Sequence, residues 1–145
     1  MSELFEQISN AMADAVANAS MGIVRVAARK RMAATGIVWR ENVIVSANHV
    51  VRRDDNIKIG TDSGETVHAT LVGRDPNTDL AVLKVEDSMT PLPQAEAGSL
   101  RVGNLVLAIG RPGEGLQATH GIVSAIGSGR MEGLIQTDVV MYPGF

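Results

Sequence analysis

The chain of 145 residues contains no cysteine, so disulfides, thiol nucleophiles and cysteine-based zinc sites are excluded, and redox compartment is left open. Aromatic residues make up only 3%, which places the core on aliphatic side chains. Basic residues are not in excess. With 13 basic against 16 acidic side chains and a net charge of -3, the sequence has no electrostatic footprint for nucleic acid or an anionic membrane. The single basic run, Arg29-Lys30-Arg31, reads as a solvated loop between strands. No apolar run approaches the length of a membrane span, and the first twenty residues carry Glu3, Glu6 and Asp14 with no basic leader. With no export signal visible, the chain as written reads as soluble and cytoplasmic, and its compartment stays unassigned.

What the chain does contain is 45% apolar residues, enough for a packed core. Residues 2–19 place Leu4, Phe5, Ile8, Met12, Val16 and Ala19 at three- and four-residue spacings, a helix with one apolar stripe and Ser2 as its N-cap. The polar face lacks Lys and Arg, so the stripe is expected to pack on its own domain or a neighbouring subunit rather than on lipid. After Met21 the period falls to two. Nine short runs ("GIVRVA", "TGIVW", "NVIVSA", "NIKI", "ETVHATLVG", "DLAVLKV", "LVLAIG", "LQATHGIVSAI", "GLIQTD") alternate with turn segments such as "RDPNT" and "RPGEG". Such short connections suit antiparallel barrels or a sandwich, because parallel strands need crossovers of a dozen or more residues.

The expected organisation is an N-terminal helix over 1–20, a first barrel over 21–88, a proline-containing linker over 89–103, and the first part of a second barrel over 104–145. Six strands can close on themselves; three cannot. The last three strands leave open edges and one apolar face, so the second half reads as incomplete and in need of a complementary C-terminal segment.

Two residues stand out for chemistry. His49, in "VIVSANHVV", begins a turn where a buried strand breaks, and is either a structural loop histidine or a catalytic imidazole. Asp79, in "RDPNTDLAVLKV", sits at the edge of a run of buried aliphatics, where a carboxylate requires a hydrogen-bonding partner. A histidine N–H would serve, and such a carboxylate would fix the tautomer of the ring and stabilise its protonated form. Asp75, opening a proline turn, is assigned to turn chemistry. The nucleophile is missing: Ser46, Ser63, Ser88, Ser99, Ser124 and Ser128 lie in strands, turns or the linker, with no surroundings suited to an oxyanion hole. Ser128, in "GSGR", reads as a hairpin turn. His68 is expected to face solvent. His120 has no spaced partner ligands and is expected at a structural or pocket-rim position rather than at a metal.

The succession "TGIVW", "VIVSANHVV", "LVGRDPNTDLAVLKV", "LRVGNLVLAIGRPGEG", "THGIVSAIG" and "IQTDVVMYPGF" resembles the chymotrypsin-fold, trypsin-like serine proteases, most closely their HtrA/Deg branch. The match runs from Gly22 to Phe145. It implies an all-β fold of two six-stranded barrels, with the second incomplete here. It also implies that His49 is the general base and acid, Asp79 its orienter, and Gly144 the first glycine of a G-x-S-G-G-P motif whose N–H serves the oxyanion hole. Phe145 then holds the variable position, where asparagine or aspartate is usual, and the serine would be the next residue.

The resemblance further places Val140 at the position that carries a carboxylate in relatives selecting basic side chains. Val140 and Met141 therefore suggest a small aliphatic P1 residue. A short loop between Val26 and Ala34 implies that the long regulatory loop of some relatives is absent. The implied partners are a C-terminal segment carrying Ser-Gly-Gly-Pro, unfolded or peptide substrates, and further copies in a homotrimer, and the implied compartment is the cell envelope. No metal or cofactor is called for. The alternative reading is an inert truncated or pseudo-protease module that binds peptides or subunits by strand addition.

Overall fold

The computed structural model describes residues 2–145. Helix α1 spans Ser2–Ala19 and ends in a one-turn 3-10 helix, Ser20–Gly22. Nine strands follow: β1 Ile23–Ala27, β2 Ala34–Arg40, β3 Val43–Ala47, β4 Ile57–Gly60, β5 Thr66–Asp75, β6 Leu80–Val85, β7 Leu105–Gly110, β8 Gln117–Ile126 and β9 Ile135–Thr137. Another 3-10 turn, Asn48–Val50, directly follows β3, and a third, Gly129–Met131, lies between β8 and β9.

Strands β1 to β6 close into an antiparallel barrel in the order β1-β2-β3-β6-β5-β4, so the barrel has no free edge. The alternation visible in the sequence becomes its inside and outside. Val24 and Val26 of β1, Val38 of β2, Ile44 of β3, Ile57 and Ile59 of β4, and Leu83 and Val85 of β6 are all buried together. Branched aliphatics suit this interior because the pleat sets their side chains against neighbours across the barrel. Gly36 leaves room for side chains of the two strands flanking β2: a Cβ there would meet Ile44 Cγ2 of β3 and Val26 Cγ2 of β1, each at 2.7 Å.

Strands β7, β8 and β9 form a three-stranded antiparallel sheet in sequence order. Val123 is its one fully buried large side chain, whereas Leu105, Ile122, Ile126, Leu134 and Ile135 are exposed. The segment between the barrel and this sheet is held to the barrel by Met89 N–H to Glu41 O and Leu92 N–H to Val38 O. The fold is thus a closed six-stranded barrel, a second sheet and an N-terminal helix; of the barrel and the sandwich that the strand spacing allows, it is the barrel that the family resemblance implies.

The helix stripe divides in two. Met12, Val16 and Ala19 are half-buried, while Leu4, Phe5 and Ile8 are exposed. The C-terminal half of α1 packs on the β7–β8 face, where Met12, Ala13 and Val16 share a groove with Leu107 and His120. His120 is therefore at a groove rim, and His68 on β5 is exposed. Among the described residues no three His, Asp or Glu side chains are grouped as metal ligands, and no helix is long and apolar enough to cross a membrane.

Candidate active site

The pairing register of two strands brings the site together. Ala47 at the end of β3 faces Leu80 at the start of β6, so the residues just beyond each strand emerge at the same end of the barrel. Asn48 and His49 open the 3-10 turn on one side, and Asp79 closes the β5–β6 hairpin on the other. Asp79 is left-handed, with φ of 58°, a conformation that aspartate tolerates better than most residues. The preceding Asp75 holds the hairpin, its Oδ1 accepting from Asn77 N–H and its Oδ2 from the Thr78 hydroxyl, both at 2.9 Å. Asp75 is a turn residue, as its proline neighbour suggested.

Asp79 grips the His49 turn at three points. Its carbonyl accepts from Asn48 N–H at 2.9 Å, its Oδ1 from His49 N–H at 2.9 Å, and its Oδ2 lies 2.6 Å from His49 Nδ1. An ionised carboxylate can only accept, so Nδ1 carries the proton and Nε2 is the lone-pair nitrogen. The side-chain and then the backbone hydrogen bond from His49 hold the Asp79 carboxyl below its ordinary value of 3.8. Both side chains remain open to solvent, at 66% for His49 and 47% for Asp79, so the pair can meet a substrate without rearrangement of the barrel.

Arg74, at the end of β5, was not singled out from sequence. Its guanidinium donates to Asn48 Oδ1 and to Val51 O, each at 2.8 Å, and to Asp54 Oδ1 at 3.1 Å. It therefore brackets the turn on both sides of His49. No local pattern signals this, because an exposed arginine at a strand end is ordinary.

Between the barrel and the second sheet runs a cleft of about 340 Å³, lined by Thr35, Ser46, Ala47, Asp79, Ala108, Met141 and Phe145, among others. Met141 borders this cleft. Val140 is exposed, and its carbonyl accepts from the Thr119 hydroxyl at 2.6 Å, so the structure separates the roles of the two neighbours. Ser46 is buried in the cleft wall with its hydroxyl committed to Thr35 O at 2.7 Å, which leaves it unsuited to nucleophilic attack. A larger groove of about 610 Å³ on the outer wall, lined by Thr66, His68, Lys84 and Glu86, contains neither His49 nor Asp79.

Gly144 has φ of +90°, and a Cβ there would meet Pro112 Cβ at 2.6 Å and Ala33 O at 3.0 Å. Only glycine satisfies both demands. Its carbonyl accepts from the Thr35 hydroxyl at 2.6 Å, whereas its N–H has no acceptor among the described residues. The next N–H, that of Phe145, turns back to Tyr142 O at 3.1 Å.

Residues 34–145 match the trypsin-like peptidase domain family. The chain is 36% identical over 116 residues to the serine endoprotease DegS of Haemophilus influenzae, covering 74% of this chain and 34% of that protein. It is 37% identical over 109 residues to the periplasmic serine endoprotease DegP of Escherichia coli K12, covering 70% of this chain and 23% of that one. A probable periplasmic DegP-like serine endoprotease of Pseudomonas putida is 40% identical over 114 residues, 74% of this chain and 24% of its own. The chain thus spans between about a quarter and a third of the length of these relatives. From the barrel, the residues matched and the relatives together, the chain belongs to the trypsin-like serine proteases of the HtrA/Deg type.

Proposed function

We propose that the protein is a serine endopeptidase in which His49 is the general base and acid, Asp79 orients it, and the Gly144 N–H stabilises the oxyanion. The observation that carries this is the contact of Asp79 Oδ2 with His49 Nδ1 at 2.6 Å, which leaves Nε2 free to accept a proton. The nucleophile is a serine from the segment that continues beyond Phe145, carrying Ser-Gly-Gly-Pro and completing the open β7–β9 sheet. His49 Nε2 takes the serine proton as Oγ bonds to the substrate carbonyl carbon. The carbonyl electron pair moves to oxygen, which meets the unengaged Gly144 N–H. Asp79 stabilises the resulting imidazolium, which then protonates the leaving amine as the C–N bond breaks. Water, deprotonated by the same nitrogen, hydrolyses the acyl-enzyme.

Met141 at the cleft, with Val140 beside it, supports a small aliphatic P1 residue, since neither side chain offers a Lys or Arg a carboxylate partner. The exposed Leu4, Phe5 and Ile8 support a homotrimer contact through α1. Relatives named periplasmic endoproteases support work in the cell envelope, and unfolded or peptide substrates are the class that an endopeptidase cleft of this kind would take. Asp79→Asn in the protein that includes the segment beyond Phe145 tests the assignment. By the precedent of such triads kcat should fall about 10⁴-fold, through the wrong tautomer at His49. Undiminished turnover would remove Asp79 from the mechanism, and a wild type without peptidase activity would leave the inert binding-module reading.

A further inference from the structure

Arg111 is the one charged side chain that is buried among the described residues, at 3% exposure, and it has no carboxylate partner there. A buried charge is costly unless its donors are fully occupied. Here they are met by backbone and hydroxyl oxygens: Nε donates to Ile23 O at 2.7 Å, one terminal nitrogen to Glu114 O at 2.6 Å, and the other to Ser20 O at 3.0 Å and Ser20 Oγ at 2.8 Å. The guanidinium thereby bolts the loop after β7 to the junction where α1 gives way to β1.

The backbone of the same residue reaches the other way. Arg111 N–H donates to Thr35 Oγ1 at 2.9 Å, and that hydroxyl spends its proton on Gly144 O at 2.6 Å. The residues flanking Arg111 make the floor beneath this turn. A Cβ on Gly110 would meet Phe145 Cα at 3.1 Å, and Pro112 is the atom group against which Gly144 is packed.

From this arrangement we propose that Arg111 is a positioning residue for the Gly144 turn: bolted to the Ser20–Ile23 junction, it orients the Gly144 peptide through Thr35. Fixing the Gly144 carbonyl on Thr35 constrains the peptide whose own N–H has no acceptor among the described residues. The catalytic consequence rests on the peptidase reading above, whereas the mechanical coupling does not.

The test uses the protein with its segment beyond Phe145, as wild type, Arg111→Lys, Arg111→Gln and Thr35→Val. Hydrogen–deuterium exchange is read on peptides covering Met141–Phe145, where the Phe145 amide bonded to Tyr142 O is the reporter, and on peptides covering His49 and Asp79. Arg111→Gln should speed exchange in Met141–Phe145 at least tenfold and leave the His49 and Asp79 peptides unchanged. It should lower kcat roughly 10–100-fold, short of the loss from deleting an oxyanion donor, with KM within about threefold. Arg111→Lys should fall between, because an ammonium cannot span the four acceptors of the planar fork.

Thr35→Val removes the relay and keeps every hydrogen bond of the Arg111 guanidinium, so it should reproduce the effect on Gly144 even if Arg111→Gln fails to fold. Wild-type exchange in Met141–Phe145 for Thr35→Val, or a rise spread through the whole barrel, would overturn the proposal. Faster local exchange in a protein whose wild type has no turnover would uphold the coupling and remove only the peptidase reading.

Discussion

At the scale of single residues, Asp79 was legible because a carboxylate next to "LAVLKV" needs a partner, and His49 was the histidine placed at a strand break. The contact between them follows from the register of β3 on β6, which local sequence does not display. Arg74 and Arg111 were illegible for the same reason: each acquires its role from carbonyls in distant segments, and "RPGEG" alone reads as a turn. The pair also has an acid signature. The folded pKa of Asp79 is depressed, so its contact with His49 stabilises the native state above the ordinary value of 3.8 and that contribution is lost as pH falls through the lower folded value. Urea denaturation of wild type and Asp79→Asn should show a difference that shrinks as pH falls below 3.8; a difference that keeps growing over that acid range would contradict the ionised contact.

Among the elements, all nine strands were readable from period-two runs bounded by turn residues, and α1 from its three- and four-residue spacing. The partner of the helix was not. The stripe is continuous in sequence, yet the structure covers only Met12, Val16 and Ala19 and leaves Leu4, Phe5 and Ile8 open, because the half of α1 that reaches the β7–β8 face is the C-terminal one. Burying an aliphatic or aromatic side chain is worth about 1.5–3 kcal/mol, so losing two from a subunit contact should weaken association at least a hundredfold. If α1 holds the proposed trimer, sedimentation is expected to show trimer for wild type and monomer for Phe5→Glu/Ile8→Glu. An unchanged assembly would take α1 out of the interface.

On the scale of the whole molecule, the closed barrel explains why His49 and Asp79 are held ready: the wall strands β3 and β6 pair along five residues before releasing them at one rim. Strand β7 contributes Ala108 and Ile109 to the opposite side of the cleft, and the segment after β9 contributes Met141 and Phe145. Strand count and spacing could be read as an antiparallel barrel or sandwich, and the resemblance selected the barrel; six short antiparallel runs can close and three cannot. The cleft could not, as it depends on ties such as Thr35 to Gly144 that join the first barrel to the last turn.

The most direct test of the central claim is covalent labelling by a fluorophosphonate probe, followed by intact mass under denaturing conditions, on the protein that includes the segment beyond Phe145. Wild type should gain one probe mass, on a serine following Phe145, and His49→Ala should label at least a hundredfold more slowly, since the serine loses its base. Absence of labelling in wild type, or equal labelling in His49→Ala, would contradict the assignment of this cleft as a serine protease active site.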